Sequence, residues 1–146
     1  MREAGDIVAR AMINCGKKLQ SGVTTGEIDS FLREYIEKEG AKPAFLGLYG
    51  FPATACISLN EEIVHGIPGG RKLLKGDLIS IDCGAIVDGM YSDHARTFTI
   101  EDSTDEDKNE LISVADNALR IGIENSIAGN RIGILSNAIE EYVLSQ

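Results

Sequence analysis

The sequence lacks the long apolar segment that a membrane-spanning helix requires. No hydrophobic run approaches the roughly 18 residues needed to cross a bilayer, and the N-terminal MREAGDIVARAM contains no signal-peptide apolar core. Basic residues are also few, since 14 lysines and arginines face 23 aspartates and glutamates and give a net charge of −9. This acidic balance disfavours nucleic acid and anionic membranes as main partners. We therefore expect direct binding to neither.

Cysteines are few and show no pairing pattern. The three present, Cys15, Cys56 and Cys83, are scattered, and no CxxC motif occurs. An odd, dispersed set fits reduced thiols better than a disulfide framework, which predicts a cytoplasmic protein. A length of 146 residues with 43% hydrophobic and 25% charged residues is ordinary for a soluble globular protein and predicts one domain.

Hydrophobic periodicity predicts helices and strands in a mixed order. The predicted elements are a helix over 3–20, a second helix from an N-cap at Thr24 or Thr25 to Gly40, one or two short strands within 53–70, strands 78–87 and 90–100, and helices near 105–126 and 131–145. An Asp-Gly pair between the two long strands predicts a hairpin turn. The acidic stretch 101–110 is predicted to be a solvated linker or helix start, because it lacks the oxygen spacing and central glycine of a calcium loop.

An internal repeat relates two parts of the chain. At an offset of 107 residues, GVTTGEIDSFLREYI (22–36) aligns with GNRIGILSNAIEEYV (129–143), so that Gly22 matches Gly129 and Tyr35 matches Tyr142. Each copy is predicted to be a helix, a glycine-containing turn and a second helix. The alignment is either a chance match of two amphipathic helix pairs or a duplicated α/β unit with pseudo-twofold symmetry. In the second case the chain holds about one and a half copies.

Two aspartates occupy the predicted hairpin. With the Asp-Gly pair as the turn, Asp82 lies opposite Ala95 and Asp93 lies opposite Gly84. The two aspartates are then diagonal neighbours on one face of the sheet, with Cα atoms roughly 7–8 Å apart. Because the residues opposite them are small, we expect room for ions and a substrate beside the carboxylates.

Two carboxylates at this spacing raise each other's pKa unless a cation lies nearby. Arg96 and His94 alternate to the opposite face of the hairpin, so they are poor candidates for neutralising the pair. We expect His94 to be exposed or packed beside the hairpin. Three interpretations of Asp82 and Asp93 stay open: ligands of a divalent metal site, a structural hydrogen-bonded pair, or an acid–base pair without metal.

A single histidine precedes a predicted turn in NEEIVHGIP. His65 is followed directly by Gly66 and then by Pro68, where the strand is expected to turn away. The side chain is either structural or a proton donor directed at a polarised carbonyl or amide.

Two segments resemble the type I methionine aminopeptidases. They are FPATACISLNEEIVHGIP (51–68) and KGDLISIDCGAIVDGMYSDHARTF (75–98), and the resemblance extends along essentially the whole chain. The D-x-G…D-x-x-R-T-F pattern is shared with proline-specific peptidases and creatinases, whereas N-E-x-x-x-H-G-I-P points to the methionine enzymes. The resemblance implies the α+β pita-bread fold, in which two pseudo-symmetric halves place helices over antiparallel strands.

The resemblance also implies an activity, the removal of the initiator methionine from nascent proteins by metal-dependent hydrolysis. It implies two divalent ions (cobalt, manganese, iron or zinc), the N-terminal methionine of nascent polypeptides as substrate and transient contact with the ribosome. Asp82 corresponds to a ligand of one ion, Asp93 to a carboxylate bridging both, and His65 to the residue that contacts substrate and assists breakdown of the tetrahedral intermediate. The residues expected to line the methionine pocket, with ordinary core packing as the alternative, are Phe45, Leu48, Phe51 and Cys56.

The remaining ligands of the resembled family, one histidine and two glutamates, have no counterpart within residues 1–146. Glu140 and Glu141 are expected on a helix surface. We therefore predict a methionine-aminopeptidase-like catalytic domain over 1–146 that is truncated at its C-terminus, with uncovered apolar surface, weak metal binding and little hydrolysis. The alternative is a non-catalytic pita-bread module that binds a peptide or protein partner. An enzyme for X-Pro substrates is disfavoured by the H-G-I-P sequence.

Overall fold

The computed structural model describes residues 1–101 and 105–146. The chain divides into two compact units, Met1–Thr104 and Asp105–Gln146. The first unit contains α1 (Arg2–Gly16), α2 (Thr25–Lys38), β1 (Lys42–Pro43), a 3-10 turn (Leu48–Gly50), β2 (Ala55–Leu59), β3 (Leu78–Val87) and β4 (Met90–Thr99). The second contains α3 (Glu106–Asn125) and α4 (Ile132–Leu144). The single catalytic domain over 1–146 stays a prediction.

Helices α1 and α2 form because each presents one apolar face. In α1 the residues that recur at three and four positions, from Ile7 to Cys15, are buried. Helix α2 begins with a capping box, in which the Thr24 hydroxyl accepts from the Glu27 N–H and the Glu27 carboxylate accepts from the Thr24 N–H. The Thr24 N–H and the Thr24 hydroxyl both donate to the Glu27 carboxylate and hold its pKa below the ordinary value. The predicted second helix is therefore confirmed, with Thr24 as its N-cap.

The four strands form one antiparallel sheet with β3 at its centre. Strand β4 pairs with β3 along its whole length, while β2 and the two-residue β1 pair with its other edge. The apolar residues of β3 that alternate away from the aspartates belong to the hydrophobic core, where they pack with α1 and α2. The face that carries Asp82 and Asp93 is thus opposite the helix layer.

Two features differ from the sequence predictions. Helix α1 ends at Gly16 instead of residue 20, and the Phe98 ring lies so close that a Cβ at Gly16 would be 2.9 Å from it. Strand β1 lies between Gly40 and residue 53, where no helix or strand was predicted, and its Pro43 is tolerated because the strand is a short edge. Within residues 53–70, all of which the structure describes, β2 is the one strand formed, in agreement with the one or two short strands predicted.

The second unit is a pair of helices. The side chain of Asp105 caps α3 by accepting from the Lys108 N–H, with two further acids in the first turn. The part of 101–110 that the structure describes therefore includes a helix start, as predicted, while residues 102–104 lie outside the described residues. Helices α3 and α4 pack together, and Gly122 permits the Ile139 side chain to approach closely. Glu140 and Glu141 are exposed, as predicted.

The composition also led to expectations about the cysteines and about membrane-spanning helices. All three cysteines are buried and free, so no disulfide joins them. In the two stretches that the structure describes, every helix is too short or too polar to cross a membrane.

Candidate metal and substrate site

One cavity gathers all the residues predicted to form a site. It has a volume of about 510 Å³ and opens on the aspartate face of the sheet. Its walls include the seven predicted residues Phe45, Leu48, Phe51, Cys56, His65, Asp82 and Asp93, and they also include Tyr49, Gly50, Pro52 and Ile67. Strands β3 and β4 therefore supply the acidic wall, and strand β2 together with the segments around 45–52 and 65–67 supplies the rest.

The hairpin register agrees with the prediction. Asp82 pairs with Ala95 and Gly84 pairs with Asp93, and the Asp-Gly turn has φ values of 49° and 75°. These left-handed values suit an aspartate and a glycine. Because the two aspartates are offset by two positions along the ladder, both carboxylates project from one face.

The space beside Gly84 is used differently from the expectation. A Cβ at this position would lie 2.5 Å from the Ser92 carbonyl oxygen, 2.9 Å from the Ala44 Cβ and 3.1 Å from the Phe45 ring. The room left by the missing side chain is therefore filled by the protein, and not by an ion or substrate. Glycine here lets Phe45 reach the sheet and form a wall of the cavity.

The negative charges of Asp82 and Asp93 act on each other. Burial, followed by the charge of Asp93, raises the pKa of Asp82 to about 6, while His65 acts in the lowering direction. The Asp82 Oδ1 atom is buried and has no hydrogen-bond partner among the described residues. A buried acceptor without a partner, beside a second carboxylate, fits a divalent cation, which prefers oxygen ligands of this kind.

The nearby cations do not neutralise the pair. Arg96 lies over the Phe98 ring, with its Cζ atom 5.5 Å from the ring centroid. His94 pairs across the strands with the buried Cys83, and burial followed by the charge of Arg96 lowers the pKa of this half-buried imidazole. His94 is thus packed beside the hairpin, as predicted, and both side chains belong to the face opposite Asp82.

The number of ligands is small. Within residues 1–101 and 105–146, no group of three or more histidine, cysteine, aspartate or glutamate side chains is arranged to hold a metal ion. The two carboxylates of Asp82 and Asp93 are by themselves too few to complete a metal site.

The apolar wall consists of side chains outside the main core. Within the described residues, the hydrophobic core cluster contains none of Phe45, Leu48, Phe51 and Cys56. Leu48 is 49% exposed, which core packing does not explain. Cys56 is paired with Asp82 in the strand register, and burial followed by the two aspartates raises the pKa of its thiol, which stays protonated at neutral pH.

Four lining residues were not singled out from the sequence, namely Tyr49, Gly50, Pro52 and Ile67. Tyr49 is fully exposed and has a left-handed φ of 49°, and Ile67 is 66% exposed two residues after His65. The available signals were weak: a tyrosine between a leucine and a glycine, and an isoleucine between glycine and proline. Neither pattern distinguishes a cavity wall from an ordinary loop.

The whole chain, residues 1–146, matches the model of metallopeptidase family M24. The chain belongs to this family. Membership in the M24 metallopeptidases implies the use of a divalent metal, which agrees with the oxygen-rich acidic wall of the cavity.

Similar proteins support the M24 assignment. A methionine aminopeptidase from Clostridium perfringens is 43% identical over 143 residues, covering 98% of this chain and 57% of the relative. Methionine aminopeptidase 1 from Bacillus subtilis is also 43% identical, again with 98% and 57% coverage. The chain thus spans a little more than half the length of these curated relatives.

Solved structures of M24-like proteins share the fold. The crystal structure of methionine aminopeptidase from Rickettsia prowazekii has a TM-score of 0.96 at 32% identity, covering 99% of this chain and 58% of that one. The prolidase from Pyrococcus furiosus has a TM-score of 0.86 at 21% identity, covering 98% of this chain and 41% of that one, and shows likeness of fold alone. The predicted α+β pita-bread fold, present here in part, is confirmed.

Proposed function

We propose that this chain is part of a cytoplasmic metalloaminopeptidase that removes the N-terminal methionine from nascent polypeptides, in transient contact with the ribosome. One observation carries the proposal: Asp82, Asp93 and His65 line the same cavity as a largely apolar wall. A methionine side chain is long, unbranched and apolar, and suits such a wall. The 43% identity to methionine aminopeptidases supports this choice of substrate.

The metal part of the proposal assigns Asp82 and Asp93 as ligands of two divalent ions, drawn from cobalt, manganese, iron and zinc. Bound ions of this kind supply Lewis acidity and lower the pKa of water. The buried Oδ1 atom of Asp82 and the raised pKa of that carboxyl group support the assignment. Because two carboxylates are an incomplete set, the chain of 146 residues should bind metal weakly and hydrolyse little.

The remaining roles belong to the chain's own side chains. His65 donates a hydrogen bond or proton to the peptide group that is cleaved, stabilising negative charge that develops on it. Phe45, Leu48, Phe51 and Cys56 hold the methionine side chain and exclude water. Cys56 acts there as a neutral, small apolar group because its raised pKa keeps the thiol protonated.

Metal binding tests the acidic wall directly. Isothermal titration calorimetry with Mn²⁺ should give saturable heat at millimolar concentrations for the chain. Asp82→Asn and Asp93→Asn should remove this heat. Asp88→Asn is the matched control, since Asp88 belongs to the same hairpin but lies in its turn and outside the cavity. Binding that survives in both cavity variants would show that these carboxylates are not the ligands.

Peptide hydrolysis tests the activity. The chain, extended by the C-terminal portion of the Bacillus subtilis relative, should release methionine from a Met-Ala peptide when Mn²⁺ or Co²⁺ is added, and a chelator should stop the release. His65→Ala should slow release by about 100-fold or more, whereas His94→Gln should have little effect. Peptide binding without any release would favour the non-catalytic module.

A further inference from the structure

The loop that carries His65 is tied to the rest of the first unit by buried hydroxyl groups. Among the described residues, the polar side chains that are buried are Thr25, Thr54 and Ser58. Two of these three, Thr25 and Ser58, make hydrogen bonds to the loop between β2 and β3. Burying a hydroxyl group is unfavourable unless it is hydrogen-bonded, so these contacts are specific features of the packing.

Ser58 holds the residue directly after His65. The Gly66 N–H donates to the Ser58 Oγ at 3.1 Å, and the Gly66 carbonyl accepts from the Ile57 N–H at 2.8 Å. A Cβ at Gly66 would collide with the Ile57 carbonyl oxygen. The backbone at Gly66 therefore lies directly against strand β2, and only a glycine permits this approach.

The same hydrogen bond constrains His65. The Gly66 N–H and the His65 carbonyl belong to one peptide plane, so anchoring this N–H limits rotation about the ψ bond of His65. His65 has a φ of 60°, in the left-handed region that is unfavourable for a residue with a side chain. Such a conformation persists when neighbouring contacts hold it. The direction of the imidazole from its Cα thus depends on the Ser58 hydroxyl.

Thr25 supplies a second, more distant anchor. Its hydroxyl donates to the Gly69 carbonyl at 3.1 Å and accepts from the Gly69 N–H at 2.9 Å. The Gly26 N–H donates to the same carbonyl at 2.8 Å. The loop is therefore fixed to β2 at Gly66, next to the histidine, and to the start of α2 at Gly69.

We propose that Ser58 is a positioning residue for His65: its buried hydroxyl holds the His65–Gly66 peptide plane so that the imidazole lines the cavity with Asp82 and Asp93. Thr25 supports the same loop from farther away. The inference rests on the proposed function in taking His65 as the hydrogen-bonding group at the substrate. The position of the imidazole is measurable without turnover, so the positioning role of Ser58 and the proposed function can fail separately.

Nuclear magnetic resonance can test the inference on the chain itself. The chain has two histidines, so its imidazole Cε1–H region contains two signals, and His94→Gln assigns them. Ser58→Ala should shift and narrow the His65 signal as the imidazole gains mobility, and it should leave the His94 signal in place. Thr25→Val, which removes a hydroxyl at nearly constant volume, should produce a smaller change.

Ser80→Ala is the matched control. Ser80 lies directly across the strands from Ser58, and its hydroxyl is hydrogen-bonded to the Thr97 hydroxyl at 2.8 Å instead of to the histidine loop. The control should leave the His65 signal unmoved. An unmoved signal in Ser58→Ala, or an equal shift in Ser80→Ala, would overturn the inference.

Amide hydrogen exchange can be measured on the unaltered chain, so this test does not depend on whether a variant folds. In the unaltered chain the Gly66 amide should exchange at least about tenfold more slowly than its intrinsic rate, as a hydrogen-bonded N–H does. Ser58→Ala should accelerate it about three- to tenfold, and Ser58→Thr, which retains the hydroxyl, should restore protection. Exchange of the Gly66 amide at the intrinsic rate in the unaltered chain would contradict the inference. If the His65 signal responds as expected but methionine release is absent, the proposed function fails and the positioning role stands.

Discussion

The two helix pairs of this chain share a sequence pattern but bury it to different degrees. Leu32 and Ile36 on α2 are fully buried, at 0% exposure. Their counterparts 107 positions later are Ile139, which is half-buried, and Val143, which is 46% exposed. The pattern therefore determines that a helix pair forms, whereas the strands that pack on the first pair decide how much of its apolar face is buried.

The turns of the two pairs are alike in backbone geometry. Gly22 has a φ of 93°, and Gly129, at the matching position, has a φ of 97°. Both values lie in the region that glycine adopts without strain. The similarity of the turns favours a duplicated unit over a chance alignment of amphipathic helices.

The N-termini of α2 and α4, the second helix of each pair, differ. Thr24 forms a capping box at α2, while Arg131, at the matching position, makes no side-chain cap at α4. The first pair is thus stabilised by both a cap and a core. The comparison predicts that equivalent substitutions should affect the two pairs unequally.

The largest expected difference concerns the core. Leu32→Ala should lower the free energy of unfolding by about 3 kcal/mol, because it leaves a cavity at a fully buried site. Ile139→Ala should cost less than half as much, since its side chain is half-buried. Urea unfolding followed by circular dichroism measures both. Equal losses in the two variants would show that the helix pairs are equally packed.

A smaller effect concerns the aspartate pair, which lies in the first unit. Folding raises the pKa of Asp82 from its ordinary value near 4 to about 6, so the folded chain binds an extra proton between these pH values. Stability should therefore fall as the pH rises from 4 to 7, by roughly 1 kcal/mol once partial solvent exposure is allowed for.

Asp82→Asn should remove this slope and stabilise the metal-free chain at pH 7. Urea midpoints measured across the pH range check the expectation, with Asp88→Asn as control. A slope that is unchanged in Asp82→Asn would show that another group is responsible.

The smallest effect concerns the helix starts. Thr24→Ala should lower the free energy of unfolding by about 1 kcal/mol because it removes the capping box. Arg131→Ser should raise it by about 0.5 kcal/mol by introducing a cap at α4. Thermal unfolding of both variants checks the pair of expectations. Destabilisation by Arg131→Ser would show that this arginine stabilises the second pair by another contact.

Local sequence patterns predicted the secondary-structure elements best. The hairpin register followed from a single Asp-Gly turn and from strict alternation, and both are local properties of the chain. The end of α1 and the role of Gly84 were not predictable in this way. At both places an aromatic ring, Phe98 at Gly16 and Phe45 at Gly84, lies against the glycine from a distant part of the sequence.

The sequence by itself determined that Asp82 and Asp93 share one face of a hairpin, because pleat and turn geometry are decided by neighbouring residues. It also determined which helices form and where α2 begins. Only the tertiary structure decided that His65 and the segment around Phe45 surround these carboxylates. Their positions depend on contacts between segments far apart in the chain, such as the Gly66 N–H on Ser58 and the Phe45 ring over Gly84.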